Sequence, residues 1–453
     1  MISEFVRNHP VRAATLAGWI QQAVTGFSAI MVLPILLSNI GAEQTGVWLA
    51  FQGFVMLAGL ADFGVGLAIT RQAAHCLGGQ KHQDTRNTDF IPFGSGWDGV
   101  RCLSEHAGPV YRITSFVALA IGVALFDLVI RHTRLMDGIE ATSARWLWYM
   151  MLLVPCLLLL AARPAAILSG TGSMWLTRLG AAIYFGMQSL VVAILAWTTH
   201  SLFAMATASL VVTLGFFLSI HAICAWHLRR NTPDSPGSRL DRSLTARFLR
   251  VAFPLGFVNI GAYLVGAVQV PMVGVLLGPA SVAPFFLAQK IGQFLLQAAL
   301  QFSAPKAVAF SRLLGENKPE DARQTMLHAM RYAGFTIVAA QFIFVFIVPH
   351  LAPILLAGKT YPQFLTVGLI GLDYIILGFT TLLAQFVLAS GKNPFVLTTL
   401  LAGLLNVLAM LTFVPRFGLA GIPMASLLAG LLTNYGYAVY CWIKMNSWIK
   451  ETQ

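Results

Sequence analysis

Lys290 stands inside an apolar run of helix length, and the polar residues nearest to it are all amides. On a helical wheel Gln289, Lys290, Gln293, Gln297 and Gln301 fall within about a third of a turn, while Leu287, Leu295, Leu296 and Phe302 lie elsewhere. One ammonium on a stripe of amides has the chemistry to hold an anion and to hydrogen-bond sugar hydroxyls. A lysine at mid-span costs about 2.5–3.5 kcal/mol on insertion scales, so its presence calls for a reason. The stripe is either the wall of a wet cavity or a seam that hydrogen-bonds neighbouring helices. The cavity is the expectation.

Other polar residues sit in or beside apolar runs. Asp62 precedes the glycines Gly64 and Gly66. It binds a coupling cation, pairs with a base, or caps a helix break there. Asp373 lies inside a later run and is the other carboxylate able to take a proton or cation. Arg71 ends its run, Arg163 precedes Pro164 and Lys306 follows Pro305, three positions suited to gather a phosphate or to anchor topology. Several absences bound the function. Ser390-Gly391-Lys392-Asn393 lacks the first glycine and the hydroxyl of a phosphate-binding loop, and no DxD motif occurs. Catalysis is therefore not expected, nor is any cofactor. The five cysteines are scattered without CxxC pairs and read as free thiols. Cys76 and Cys102 share a stretch with His75, His82 and His106, but the spacing matches no zinc pattern, so no metal is expected.

The elements that must position these residues are membrane spans. Hydrophobic residues make up 57% of 453 and charged ones 10%, against about a quarter charged in soluble domains. Twelve spans are expected near 11–38, 45–70, 111–131, 146–168, 175–198, 202–226, 247–277, 280–304, 329–350, 363–387, 393–414 and 418–443, the fourth and tenth interrupted near their ends by Gly and Pro. If sides alternate, 23 of the 29 Lys and Arg fall on one side, which puts both termini in the cytoplasm. The net charge of +12 then reflects topology and attraction to anionic membrane lipid rather than nucleic-acid binding.

The second half repeats the first. Pro34 to Gly41 and Pro271 to Gly278 close equivalent runs 237 positions apart, and the same shift pairs Gln22 with Asn259 and Gln52 with Gln289. Downstream the offset falls to 217, as Leu202 with Leu419 and Ser209 with Ser426 show, because the loop at 72–110 is longer than its counterpart. The fold class expected is an all-α polytopic membrane protein, with residues 1–236 as an N-terminal six-helix lobe and 237–453 as its C-terminal repeat. Six spans per lobe relates the two by a pseudo-twofold along the membrane normal, an arrangement of carriers rather than enzymes. Residues 239–250 put Arg239, Arg242, Arg247 and Arg250 opposite Leu240, Leu244 and Phe248, the pattern of an interfacial linking helix.

Two segments resemble a known family. Gly41-Ala42-Glu43-Gln44-Thr45-Gly46-Val47-Trp48 is similar to the "GPEEYGLW" stretch of Wzx-type polysaccharide flippases, and Asp62 to Arg71 is similar to their "DLGLGxAxTR". Leu168 to Gly172 and Phe417 to Ala425 look like the family's "LQGLGR" turn, without its arginine, and its "xGxxGAAxA" stretch. The resemblance spans about residues 11–443. It implies the V-shaped, MATE-like fold of the multidrug/oligosaccharidyl-lipid/polysaccharide exporter superfamily, in a bacterial inner membrane. It also implies movement of an undecaprenyl-pyrophosphate-linked oligosaccharide from the inner to the outer leaflet for surface polysaccharide or lipopolysaccharide (O-antigen) synthesis, beside a glycan polymerase and glycosyltransferases. In that setting Lys290 attracts pyrophosphate, Gln289, Gln293, Gln297, Gln301, Gln22 and Asn259 contact sugar, and Arg71, Arg163 and Lys306 gather the anion. The rival readings are a cation-coupled multidrug exporter of the same superfamily and a non-transporting scaffold for glycan-assembly enzymes.

Overall fold

The computed structural model describes residues 10–59, 62, 64–78, 93–94, 96–128, 130–136, 140–232, 242–301, 303, 306–307, 310, 313, 318–355, 361–389 and 394–451. Among them there is helix and no strand. Lipid offers no hydrogen bonds, so each spanning segment must close its own backbone ladder, and long apolar helices do so. Contacts divide the chain into two units, 1–35 with 51–259, and 36–50 with 260–453. The chain is a multi-pass membrane protein.

The first unit contains most of α1 (Pro10–Asn39) and α2 (Gly41–Gly59) from Phe51 onward, with α3 (Val65–Gly78), α4 (Gly96–Leu128), α5 (Ala141–Leu168), α6 (Met174–Thr199) and α7 (Leu202–Asn231). Its core follows helical spacing. Val65, Ala68, Ile69, Ala73 and Cys76 form one face of α3 and pack on Val100, Leu103, Ala107, Val110 and Tyr111 of α4, with Ile167 of α5 and Ile220 of α7 beside them. A second knot stacks Phe51 edge-on to Trp148 at 5.1 Å, and the indole donates to Gly122 O at 2.9 Å.

The second unit contains α8 from Ile260 onward (Arg242–Val265), α9 (Gln269–Leu277), α10 (Val282–Leu300), α11 (Pro319–Phe346), α12 (Val348–Leu355), α13 (Phe364–Ala389), α14 (Val396–Phe417), α15 (Gly421–Gly430) and α16 (Gly436–Glu451). Phe310, Met326, Phe386 and Ala438 centre one of its cores. The 36–50 segment enters this unit by close approach, since a Cβ on Gly46 would lie 1.8 Å from Pro279 O. Only glycine fits there.

Among the described residues seven helical runs are long and apolar enough to cross a membrane, and two of these, Thr142–Thr199 and Val396–Met445, are each a pair of expected spans. The seventh expected span passes only as a bent pair, Gly256–Val265 and Gln269–Leu277, at 46°. The two that do not register are informative. The second is cut between α2 and α3 at Asp62–Gly64, where Gly64 has φ 70°. The eighth, α10, carries the lysine and amides.

Three expectations need correction. The 72–110 loop is largely helix where described: α3 runs to Gly78 and α4 begins at Gly96, because their apolar faces pack on each other beyond the purely apolar windows. Residues 79–92, with His82, lie outside the described residues. The interfacial helix at 239–250 is not separate, since α8 runs unbroken from Arg242 to Val265, and 239–241 lie outside the described residues. The fourth and tenth spans are not interrupted. Helix α5 continues through Pro155 and Pro164, and α13 runs from Phe364 to Ala389; membrane helices tolerate proline where neighbours satisfy the freed carbonyls.

Candidate functional site

Two polar groups emerge, one in each unit. The second unit's group is built on the broken seventh span. A bend between Val265 and Gln269 frees backbone carbonyls, and buried side-chain amides take them up. Asn406 Nδ2, from α14, donates to Leu264 O at 2.8 Å and Val265 O at 3.1 Å. Gln269 Nε2 donates to Val265 O at 2.9 Å. Gln289 Nε2, from α10, donates to Gly266 O at 3.1 Å and to Gln269 Oε1 at 2.8 Å. Tyr374 OH and Gln341 Nε2 then bind the α10 backbone at Gln289 O and Gly292 O, each at 3.1 Å.

The amide stripe therefore has two sides. Gln289 is buried, whereas Lys290, Gln297 and Gln301 are half-buried and Gln293 is exposed. Lys290 Nζ lies 3.5 Å from Gln293 Oε1 and 5.5 Å from the centroid of the Phe286 ring. Among the described residues no carboxylate pairs with it. Among the described residues its charge is thus shared with an amide oxygen and a ring face alone, an arrangement open to an anionic ligand.

Asp373, on α13, is 5% exposed. Tyr435 OH donates to its Oδ1 at 3.1 Å and Ser426 also hydrogen-bonds the carboxylate. Its partners are hydroxyls. Lys306 is exposed.

The first unit's group lies at the cut in the second span. Asp62 accepts from Gly66 N at 3.2 and 3.3 Å and from Tyr111 OH. A carboxylate receiving the Gly66 N–H in the first turn of α3 acts as the cap of a restarted helix. Arg163 Nη1, on α5, reaches Ser104 O at 3.5 Å and lies against the α4 backbone, where a Cβ on Gly108 would come within 2.8 Å of it. Arg71 is exposed, Gln22 is half-buried on α1 and Asn259 is exposed on α8. Arg163 falls within electrostatic range of Tyr111, so Asp62, Tyr111 and Arg163 form one neighbourhood.

Cys102 Sγ lies 3.6 Å from His106 Nδ1, which also meets Cys102 O at 2.8 Å. Among the described residues no three His, Cys, Asp or Glu cluster as metal ligands. All five cysteines are free. Sequence reasoning overlooked Asn406, Gln269 and Gln341, although each is an amide in an apolar run and the argument applied to Lys290 would have found them.

No protein-family profile matches the chain, and no curated sequence relative does. Solved structures do. A multidrug resistance MATE family transporter of the MOP superfamily, in an inward-facing conformation, superposes with TM-score 0.70 at 16% identity over 96% of this chain and 99% of its own. A MATE protein in a bent conformation gives 0.63 at 18% identity, over 99% and 98%. A MOP superfamily transporter from Pyrococcus furiosus, described as having a binding pocket of reverse polarity that suggests a different function, gives 0.62 at 16%, over 98% and 96%. This chain therefore has the fold of the MATE transporters of the MOP superfamily.

Proposed function

We propose that the protein is a flippase that carries a lipid-linked oligosaccharide, with an undecaprenyl-pyrophosphate anchor, from the inner to the outer leaflet. The observation that carries this reading is Lys290, a cation without a described carboxylate partner, on a helix face that continues as Gln293, Gln297 and Gln301. Pyrophosphate needs a cation and sugars need amides. The Pyrococcus furiosus relative is a precedent for reversed pocket polarity on this fold. Lys290 meets the phosphates, the three accessible glutamines solvate the sugar, and Gln289 contributes through the bend that it holds. Arg71, Arg163 and Lys306 collect the anion, while Gln22 and Asn259 line its route.

Energy is available without nucleotide hydrolysis. An inside-negative potential favours outward anion movement by about 2.3 kcal/mol per charge per 100 mV, roughly twice that for two phosphate charges. Coupling through Asp62 or Asp373 is tested separately, by imposing a proton or sodium gradient.

A multidrug exporter is the second reading, favoured by the multidrug MATE relatives. It calls for carboxylates presented to cationic drugs, and Asp373 is instead buried under hydroxyls. Leaflet exchange of a labelled lipid-linked oligosaccharide in proteoliposomes tests the proposal. Exchange lost in Lys290→Ala and restored in Lys290→Arg supports it. Drug efflux without lipid exchange supports the exporter, and neither activity leaves a scaffold for glycan-assembly enzymes.

A further inference from the structure

The surface between α14 and α15 contains an apolar groove of about 250 Å³, lined by Leu405, Leu408, Thr412 and Phe413 on one side and Leu428 and Leu432 on the other. Leu408 is 60% and Leu432 68% exposed, so the groove opens to its surroundings. Its far wall includes Leu432 in the widened π turn Leu431–Tyr435, which follows α15. In a membrane-spanning chain this opening faces hydrocarbon, and bare apolar walls alone would specify nothing.

A charge at its end does specify something. On a helical wheel Leu405, Ala409, Thr412 and Arg416 share one stripe of α14, and Arg416 is exposed in the last turn of that helix. Among the described residues no carboxylate pairs with it. Arg416 lies eleven positions after Leu405, a rise of about 16 Å at about 1.5 Å per residue. One leaflet of hydrocarbon is about 15 Å deep, half of the about 30 Å core. The α14 wall of the groove, Leu405 to Phe413, rises about 12 Å, and Arg416 follows three positions beyond it, so groove and guanidinium together span about the depth of one leaflet. The groove's volume, equal to about eight water molecules at about 30 Å³ each, holds part of one hydrocarbon chain and no headgroup.

We propose that this groove is a binding site for an anionic phospholipid of the bilayer, whose phosphate rests on Arg416 while one acyl chain lies between α14 and α15. The site is independent of the transported substrate and of Lys290. It gives the second unit a fixed lipid partner.

Native mass spectrometry of the purified, delipidated protein titrated with phosphatidylglycerol or phosphatidylcholine tests the site. The expected result is one phosphatidylglycerol bound ahead of the rest, with phosphatidylcholine weaker. Arg416→Gln should weaken this first binding about fivefold and Arg416→Lys should restore it. Thr412→Trp should close the groove at its exposed rim and remove the first lipid while the protein stays monodisperse. Ala409→Leu, which fills the floor, is the second filling variant. Unchanged binding in Arg416→Gln, equal binding of the two lipids, or tight binding that survives both filling variants would overturn the proposal. So would displacement of phosphatidylglycerol by a polyprenyl phosphate at lower concentration, which would make the carrier lipid the occupant.

Discussion

Replacing Gln289 by Met separates the structural side of the amide stripe from its accessible side. The substitution conserves volume and removes an amide that donates at 3.1 Å to Gly266 O and at 2.8 Å to Gln269 Oε1. Both acceptors are then left at a bend in an apolar surrounding. Interhelical hydrogen bonds in membranes average about 0.6 kcal/mol and reach about 1.7, and a stranded buried acceptor costs about 1–3 kcal/mol. Since one acceptor is a side chain that can turn to another donor, the loss should be about 1–3 kcal/mol rather than the sum. Gln293→Met, at an exposed position one turn along, should stay within about 0.5 kcal/mol of wild type. Equilibrium unfolding in mixed detergent–SDS micelles, followed by tryptophan fluorescence, measures both. The functional pattern should be reversed, with Gln293→Met impairing leaflet exchange at normal stability. A Gln289→Met protein as stable as wild type, or a Gln293→Met protein as damaged as Gln289→Met, would refute the division of the stripe.

Other outcomes follow from single contacts. Tyr435→Phe removes a hydroxyl donor from the buried Asp373 carboxylate and should cost about 1–3 kcal/mol in the same unfolding assay. Gly46→Ala drives a methyl into Pro279 O and should cost about 1–3 kcal/mol, seen as loss of folded protein in detergent. Arg145→Ala breaks a 2.8 Å pair with Asp127 that both side chains expose to their surroundings, and should cost less than about 1 kcal/mol.

The order of the helices was legible because lipid enforces it. Apolar runs near 146–168, 175–198 and 202–226 became α5, α6 and α7 with ends shifted by a few residues. Less legible was where helices continue beyond their apolar windows. Val100, Leu103, Ala107 and Val110 recur at helical spacing among charged residues, so a hydropathy window counts their neighbours and misses their face. The internal repeat also hid a difference. Pro34 and Pro271 occupy equivalent positions, yet α1 runs continuously through the first while the chain bends just before the second. The bend is held by Asn406, 142 residues from Leu264, and no local pattern carries that information. The helical wheel likewise gave the arc of the amide stripe but not which edge faces its neighbours. Gln289 and Lys290 are adjacent in sequence, and packing alone turns one inward and leaves the other accessible.

The most direct measurement is leaflet exchange of a pyrophosphate-linked oligosaccharide in proteoliposomes holding wild-type protein, Lys290→Ala or Lys290→Arg at equal density. The account predicts exchange that is fast for wild type, at least partly kept by arginine and absent with alanine. Alanine protein that exchanges the lipid at the wild-type rate would contradict it.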